Sequence, residues 1–106
     1  MQELSVEELK EMLDSGCSFC FLDVRDEWEY AEFNLGAENM PLHLLPSRLA
    51  DLEPYKEQLV VVHCKMGRRG QQAQLLLQQA GFKQVRNLSG GIEAWIAAFG
   101  RIAPPG

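Results

Sequence analysis

Seven consecutive residues, Cys64-Lys65-Met66-Gly67-Arg68-Arg69-Gly70, follow an apolar run and combine a thiol, three cations and two glycines. A thiol attacks electrophiles as its thiolate, which forms most readily beside positive charge and free backbone N–H groups. Both stabilisers are encoded here. Lys65, Arg68 and Arg69 bring charge, and Gly67 permits the backbone angles by which a loop turns successive N–H groups toward one centre. The chemistry this suggests is nucleophilic attack by Cys64 on a small anionic substrate held in a backbone cradle. A buried thiol that merely ends a strand is the plainer reading. The density of positive charge weighs against it, because charged side chains are seldom buried around a core cysteine.

Such a cradle requires a strand to deliver the cysteine and a helix to close the loop. Leu59 to His63, with three consecutive valines, predicts a strand, and Gln71 to Ala80 predicts a helix with Gly81 as its C-cap. Cys64 then leaves the C-terminal end of a buried parallel strand, and the loop enters a helix near Arg69 or Gly70, where open α/β sheets bind ligands. The helix start adds its positive end to the cradle.

Upstream, Ser5 and Glu8 form a capping-box pattern ahead of Val6, Leu9, Met12 and Leu13, predicting a helix that ends at Gly16. Phe19 to Val24 predicts a strand interrupted only by Asp23, with its C-terminal end at a functional rim. Asp26 and Glu29 repeat the capping pattern before a short helix through Trp28, Tyr30 and Phe33. Gly36 to Met40 predicts a short strand stopped by Pro41, and Leu44 to Leu52 a short helix with Pro46 at its start. Val85 to Leu88 predicts a last strand, Ser89-Gly90-Gly91 a tight turn, and Ile92 to Phe99 a last helix. This alternation implies an α/β fold with a parallel sheet and helices on both faces.

A chain of 106 residues, 46% of them hydrophobic, can bury one compact core. A single domain is therefore expected over residues 1–102, followed by a flexible Pro- and Gly-rich tail, 103–106. Three cysteines and no basic-then-apolar N-terminal pattern argue against a disulfide framework and for a reducing, cytoplasmic setting. No apolar run is long enough to cross a bilayer. The net charge of −5 conceals an asymmetry: residues 1–57 hold 14 acidic and 4 basic side chains, residues 58–106 hold 1 and 6. Basic charge confined to one spot argues against general nucleic-acid binding and suits a small anionic ligand.

Other reactive residues have structural readings. Cys17 and Cys20 form a CxxC, yet no second pair completes a metal site, and Cys20 falls where a buried strand begins. No metal or cofactor is expected. His63 adjoins Cys64, but neighbours on a strand point to opposite faces, so it is not expected to contact the thiol. Trp28, Tyr30, Trp95 and Phe99 are expected in the core or on helix faces, with a pocket floor as the alternative for Trp95.

With these elements in place, the sequence resembles the rhodanese-type sulfurtransferases. CKMGRR, Cys64 to Arg69, is similar to their six-residue active-site loop of pattern CxxGxR, set between an apolar strand and a helix. FLDVRDEWEY resembles that family's Leu-Asp-Val-Arg strand and following helix, and LSGGIEAW resembles its Gly-Gly turn and Trp-bearing final helix. Order and spacing agree from about Leu4 to Phe99. The resemblance implies a rhodanese-like fold, a five-stranded parallel sheet with helices on both faces. It also implies a Cys64 that cycles between thiol and persulfide. Family members take a sulfane sulfur from a donor such as thiosulfate and pass it to a thiophilic acceptor, cyanide in vitro and a thiol or sulfur-carrier pathway in the cell. Carried over by position, Cys64 is the nucleophile, the amides of Lys65, Met66, Gly67, Arg68, Arg69 and Gly70 cradle the outer sulfur, and Arg69 orients the loop and favours anionic donors. Asp23 and Arg25 match the Asp-Val-Arg motif, where an ion pair supporting the fold is favoured over substrate contact.

Two features depart from that pattern. FNLGA replaces a segment that carries His and Pro in many relatives, and Gly70 stands where relatives often place Ser, whose hydroxyl would bond the persulfide or cap the helix. The segment EFNLGAENMPLHLLPSRLADL is similar to rhodanese domains that accompany enzymes adenylylating sulfur carriers. Two other classes stay open. Cysteine phosphatases and arsenate reductases also set a thiolate in an anion-binding loop ending in Arg, but they space the pair by five residues, whereas four separate Cys64 from Arg69. A non-catalytic persulfide-binding or interaction module would need the cradle without turnover. A monomer with no nucleic-acid or membrane partner is expected.

Overall fold

Val60, Val61 and Val62 are all fully buried, which a strand achieves only when both of its faces are covered. They lie in β4 (Leu59–His63), the third strand of a five-stranded sheet. The computed structural model describes residues 2–104. In chain order the elements are β1 (Glu3–Leu4), α1 (Val6–Asp14), β2 (Cys20–Asp23), α2 (Glu27–Glu32), β3 (Glu38–Asn39), α3 (Leu45–Arg48), β4, α4 (Arg68–Gln79), β5 (Gln84–Leu88) and α5 (Gly91–Phe99). The strands pair in parallel in the order β1-β5-β4-β2-β3.

Alternation along β4 divides the core. Val60 and Val62 pack with Leu22, Leu45, Ala73 and Leu77, so α3 and α4 cover that face. Val61 packs with Leu9, Leu88, Ile92 and Trp95, so α1 and α5 cover the other. Each Val, Leu or Ile among them stabilises by about 1.5–3 kcal/mol on burial. A one-residue slip of β4 would exchange its two faces, and so the register that brings Asp23 opposite His63 is firmly specified.

Several expected elements form where their residues predict. Ser5 Oγ accepts the Glu8 N–H at 3.0 Å while the Ser5 N–H donates to Glu8 Oε1 at 2.9 Å, and α1 begins there. The Asp26 N–H donates to Glu29 Oε1 at 3.0 Å ahead of α2. Others differ. α4 starts at Arg68, three residues before the expected Gln71, because the Gly67 carbonyl already accepts the Gln71 N–H at 3.0 Å. The helix expected over Leu44 to Leu52 is α3 flanked by 3-10 segments, Leu42–Leu44 and Leu49–Tyr55, the second containing Pro54. Trp28 takes the helix-face alternative, 64% exposed on α2. Of the expected tail, residues 105–106 lie outside the described residues, and the chain before it is tied down by a bond from Trp95 Nε1–H to the Ile102 carbonyl, 3.1 Å.

Candidate active site

The C-terminal ends of β2, β4 and β5 bring Asp23, His63 and Leu88 to one edge of the sheet, and the chain leaves β4 there through Cys64. The Cys64 side chain turns to the α4 side, where its Sγ accepts the Gly67 N–H at 3.0 Å and the Gly70 N–H at 3.2 Å. At 1% exposure the residue is buried, and burial alone would suit an inert thiol. Two backbone donors converge on this sulfur, an arrangement that could also accommodate a negatively charged one. The loop reaches this shape because Gly67 adopts φ +114, a left-handed conformation that side chains with a Cβ disfavour.

The outer side of the loop is held by α5. The Ile92 N–H donates to the Cys64 carbonyl at 2.8 Å and the Glu93 N–H to the Lys65 carbonyl at 3.0 Å. These peptides are trans, so with their carbonyls directed at α5 the Lys65 and Met66 N–H groups point the opposite way. Gly91 makes the approach possible: a Cβ there would lie 2.5 Å from the Lys65 carbonyl oxygen and 2.6 Å from that of Cys64. Two helix starts therefore act on one loop, α4 donating to the sulfur and α5 orienting the peptides beside it.

The cations take less direct positions than their spacing suggests. Arg69 forms a bidentate pair with Glu29, Nη1 to Oε1 at 2.6 Å and Nη2 to Oε2 at 3.0 Å. The guanidinium, helped by the Asp26 N–H, holds the Glu29 carboxyl down at about 2 against burial that opposes it. In return Glu29 raises the Arg69 value, to which the nearby Cys64 adds a smaller share. Lys65 is exposed, 3.9 Å from Glu93, and Arg68 is exposed beside Gln71, Gln72 and Leu75. Met66 stands 70% exposed at the loop tip. The hydrogen bonds to Sγ thus come from amides rather than side-chain cations. A cleft beside Lys65 is lined by Arg25, Arg101, Trp28, Glu29 and Glu93, so it presents both signs of charge.

On the opposite face of β4, His63 is fully buried with Nε2 3.5 Å from Asp23 Oδ2. Asp23 is gripped by Arg25 through Nε and Nη2 at 2.8–3.2 Å, and Arg25 Nη2 also donates to the Phe33 carbonyl at 2.7 Å. Asn39 Nδ2 secures the backbone carbonyls of Asp23 and Arg25 at 3.1 and 3.0 Å. Desolvation lowers the His63 pKa and Arg25 adds to this, while Asp23 opposes, so the ring is held neutral.

The model of the rhodanese-like domain matches residues 5–98. The chain belongs to the rhodanese-like domain family. It is 34% identical to a sulfurtransferase of Allochromatium vinosum over 90% of this chain and 88% of that one. It is 31% identical to the adenylyltransferase and sulfurtransferase MOCS3 of Arabidopsis thaliana over 89% of this chain, but spans only 24% of that protein. The human single-domain sulfurtransferase TSTD1 superposes with a TM-score of 0.78 at 29% identity, covering 92% of this chain and 96% of that one.

Within this rhodanese-like domain, Cys17 is exposed and Cys20 is buried, and burial, aided by Glu38, pushes the Cys20 thiol up to about 11. Trp95 is a core residue beside Phe99, with ring centroids 4.8 Å apart, and does not floor the cleft at Lys65. Among the described residues no helix is long and apolar enough to cross a membrane. Two residues at the site escape the sequence reading, Glu29 as the partner of Arg69 and Asn87 under the loop. Glu29 is visible in the sequence only as a capping residue; Asn87 carries no local signal beyond being a polar residue within a strand.

Proposed function

We propose that this rhodanese-like domain is a sulfurtransferase that carries a sulfane sulfur as a persulfide on Cys64. The observation that carries the reading is the pair of amide donors, Gly67 and Gly70, on the Cys64 sulfur at 3.0 and 3.2 Å. The Cys64 thiolate attacks the outer sulfur of a donor such as thiosulfate. The S–S bond of the donor breaks, sulfite leaves with its electron pair, and the sulfur remains on Cys64 as a persulfide anion. The amides of residues 65 to 70 hold that outer sulfur, compensating its charge without cost of reorganisation. A thiophilic acceptor then attacks the outer sulfur and releases the Cys64 thiolate; with cyanide the product is thiocyanate.

Arg69, tied to Glu29, orients the first turn of α4 in this reading, and the Arg25–Asp23 pair stabilises the strand ends behind the loop. Likeness to relatives named as sulfurtransferases supports the reaction class, and the partial match to an adenylyltransferase and sulfurtransferase supports a thiol or sulfur-carrier acceptor system. We place the protein as a cytoplasmic monomer with no nucleic-acid or membrane partner. Only four residues separate Cys64 from Arg69, so the ring suits one sulfur and crowds a full phosphate or arsenate. The test is steady-state assay: thiosulfate:cyanide transfer that Cys64→Ser abolishes without unfolding the domain, and negligible hydrolysis of aryl phosphates. Faster phosphate hydrolysis than sulfur transfer would replace this reading with the phosphatase one, and a cradle that never turns over would leave a binding module.

A further inference from the structure

Asn87 lies on β5, 1% exposed, and touches both glycines whose amides hold the Cys64 sulfur. Its Nδ2 donates to the Gly67 carbonyl at 3.0 Å and to Glu3 Oε2 at 3.2 Å. Its Oδ1 is buried without a hydrogen-bond partner and occupies the space where a side chain at residue 70 would begin. A Cβ built on Gly70 would sit 2.0 Å from Oδ1 and 2.9 Å from the Asn87 Cγ. Gly70 has ordinary helical geometry, so its lack of a side chain answers a packing demand rather than a backbone one.

The Gly67 carbonyl fixes the peptide that opens α4. Because a trans peptide sets C=O and N–H antiparallel, a carbonyl drawn toward Asn87 and the Gln71 N–H turns the Arg68 N–H away from them, out of the helix start. We propose that Asn87 is a positioning residue for the sulfur cradle, and that Gly70 and Asn87 form an interlocked pair in which the missing side chain at 70 admits the amide that orients the loop. This deepens the persulfide reading and rests on it for its purpose, although the geometry itself can be tested without any sulfur donor.

The pair makes a prediction opposite in sign to helix propensity. Alanine at a helical glycine normally stabilises. Here Gly70→Ala must displace Asn87 and release the Gly67 carbonyl, so the cradle loosens. In a Cys17→Ser background, the rate of Cys64 alkylation at neutral pH is expected to fall about tenfold in Gly70→Ala and about tenfold in Asn87→Ala. Gly70→Ala added to Asn87→Ala should cost nothing further, because the space is then free. The Gly67 amide proton resonance should move in both single variants and that of Gly70 in Asn87→Ala, a signature that general loss of stability would not confine to these residues. Asn87→Ser, too short to reach the Gly67 carbonyl, provides the same comparison if the alanine variant does not fold. Wild-type alkylation in Gly70→Ala, or effects that multiply in the double variant, overturns the role given to Asn87. Thiosulfate loading of wild-type Cys64 is read separately: loading without coupling removes only Asn87, and coupling without loading removes only the sulfurtransferase reading.

Discussion

Glu29 and Arg69, forty positions apart, meet as a bidentate ion pair at 2.6 and 3.0 Å across the mouth of the Cys64 loop. The pair joins the capping residue of α2 to the first turn of α4, so the two helix starts are fixed to each other. The Arg69 guanidinium is thereby paired with a carboxylate rather than left free to meet an anion.

Replacing Glu29 by Gln retains an oxygen for the Asp26 N–H but removes the charge that neutralises Arg69. Glu29→Gln should therefore lower the KM for thiosulfate roughly fivefold, equivalent to about 1 kcal/mol. Steady-state kinetics checks this, and an unchanged or raised KM would show that Arg69 does not meet the donor.

The same pair sets an acid limit. Glu29 titrates near 2 in the fold and near 4.5 when unfolded, so its contribution is complete above about pH 4.5 and is lost as pH falls toward 2. With Arg69 about one-third exposed, the contribution is on the order of 1–2 kcal/mol. Denaturant midpoints for wild type and Glu29→Gln should differ at pH 6 and converge near pH 2.

His63 acts higher on the pH scale. Its folded-state pKa is lowered by burial, so its contribution is complete above the unfolded value of about 6.5 and declines as pH falls below it, where the unfolded chain binds a proton the buried ring refuses. His63→Gln should remove the part of the acid sensitivity that sets in just below that value. Identical pH–stability curves between pH 5 and 7 would contradict a neutral His63.

Gly36 and Gly91 both have positive φ, +87 and +64, but only Gly91 is crowded. Gly36→Ala meets open space and should cost about 1–2 kcal/mol from conformation alone. Gly91→Ala presses on the Cys64 and Lys65 carbonyls, so it should cost more and also abolish sulfur transfer. Melting curves and transfer assays on the two variants check the contrast.

Much of this architecture is legible in the sequence because it rests on local patterns. The Ser5–Glu8 box, the valines of β4 and the loop glycines each declare themselves within a few residues. β1 does not: Glu3–Leu4 is too short to show a period and is a strand only because β5 pairs with it, Glu3 opposite Asn87 and Leu4 opposite Leu88. The same holds at the site. Lys65, Arg68 and Arg69 read as one positive cluster, yet Glu29 claims Arg69 and Glu93 lies near Lys65, and neither partner is close in sequence. Asn87 is invisible for a related reason, since its meaning lies in the space above Gly70.

Whether Cys64 carries one sulfur atom can be read by mass spectrometry of the intact protein and its peptides after thiosulfate, then after cyanide. A gain of one sulfur is expected, mapped to Cys64 and not to Cys17 or Cys20, that disappears on cyanide treatment and is never acquired by Cys64→Ser. No added sulfur on the wild type, or an added sulfur that persists in Cys64→Ser, would contradict it.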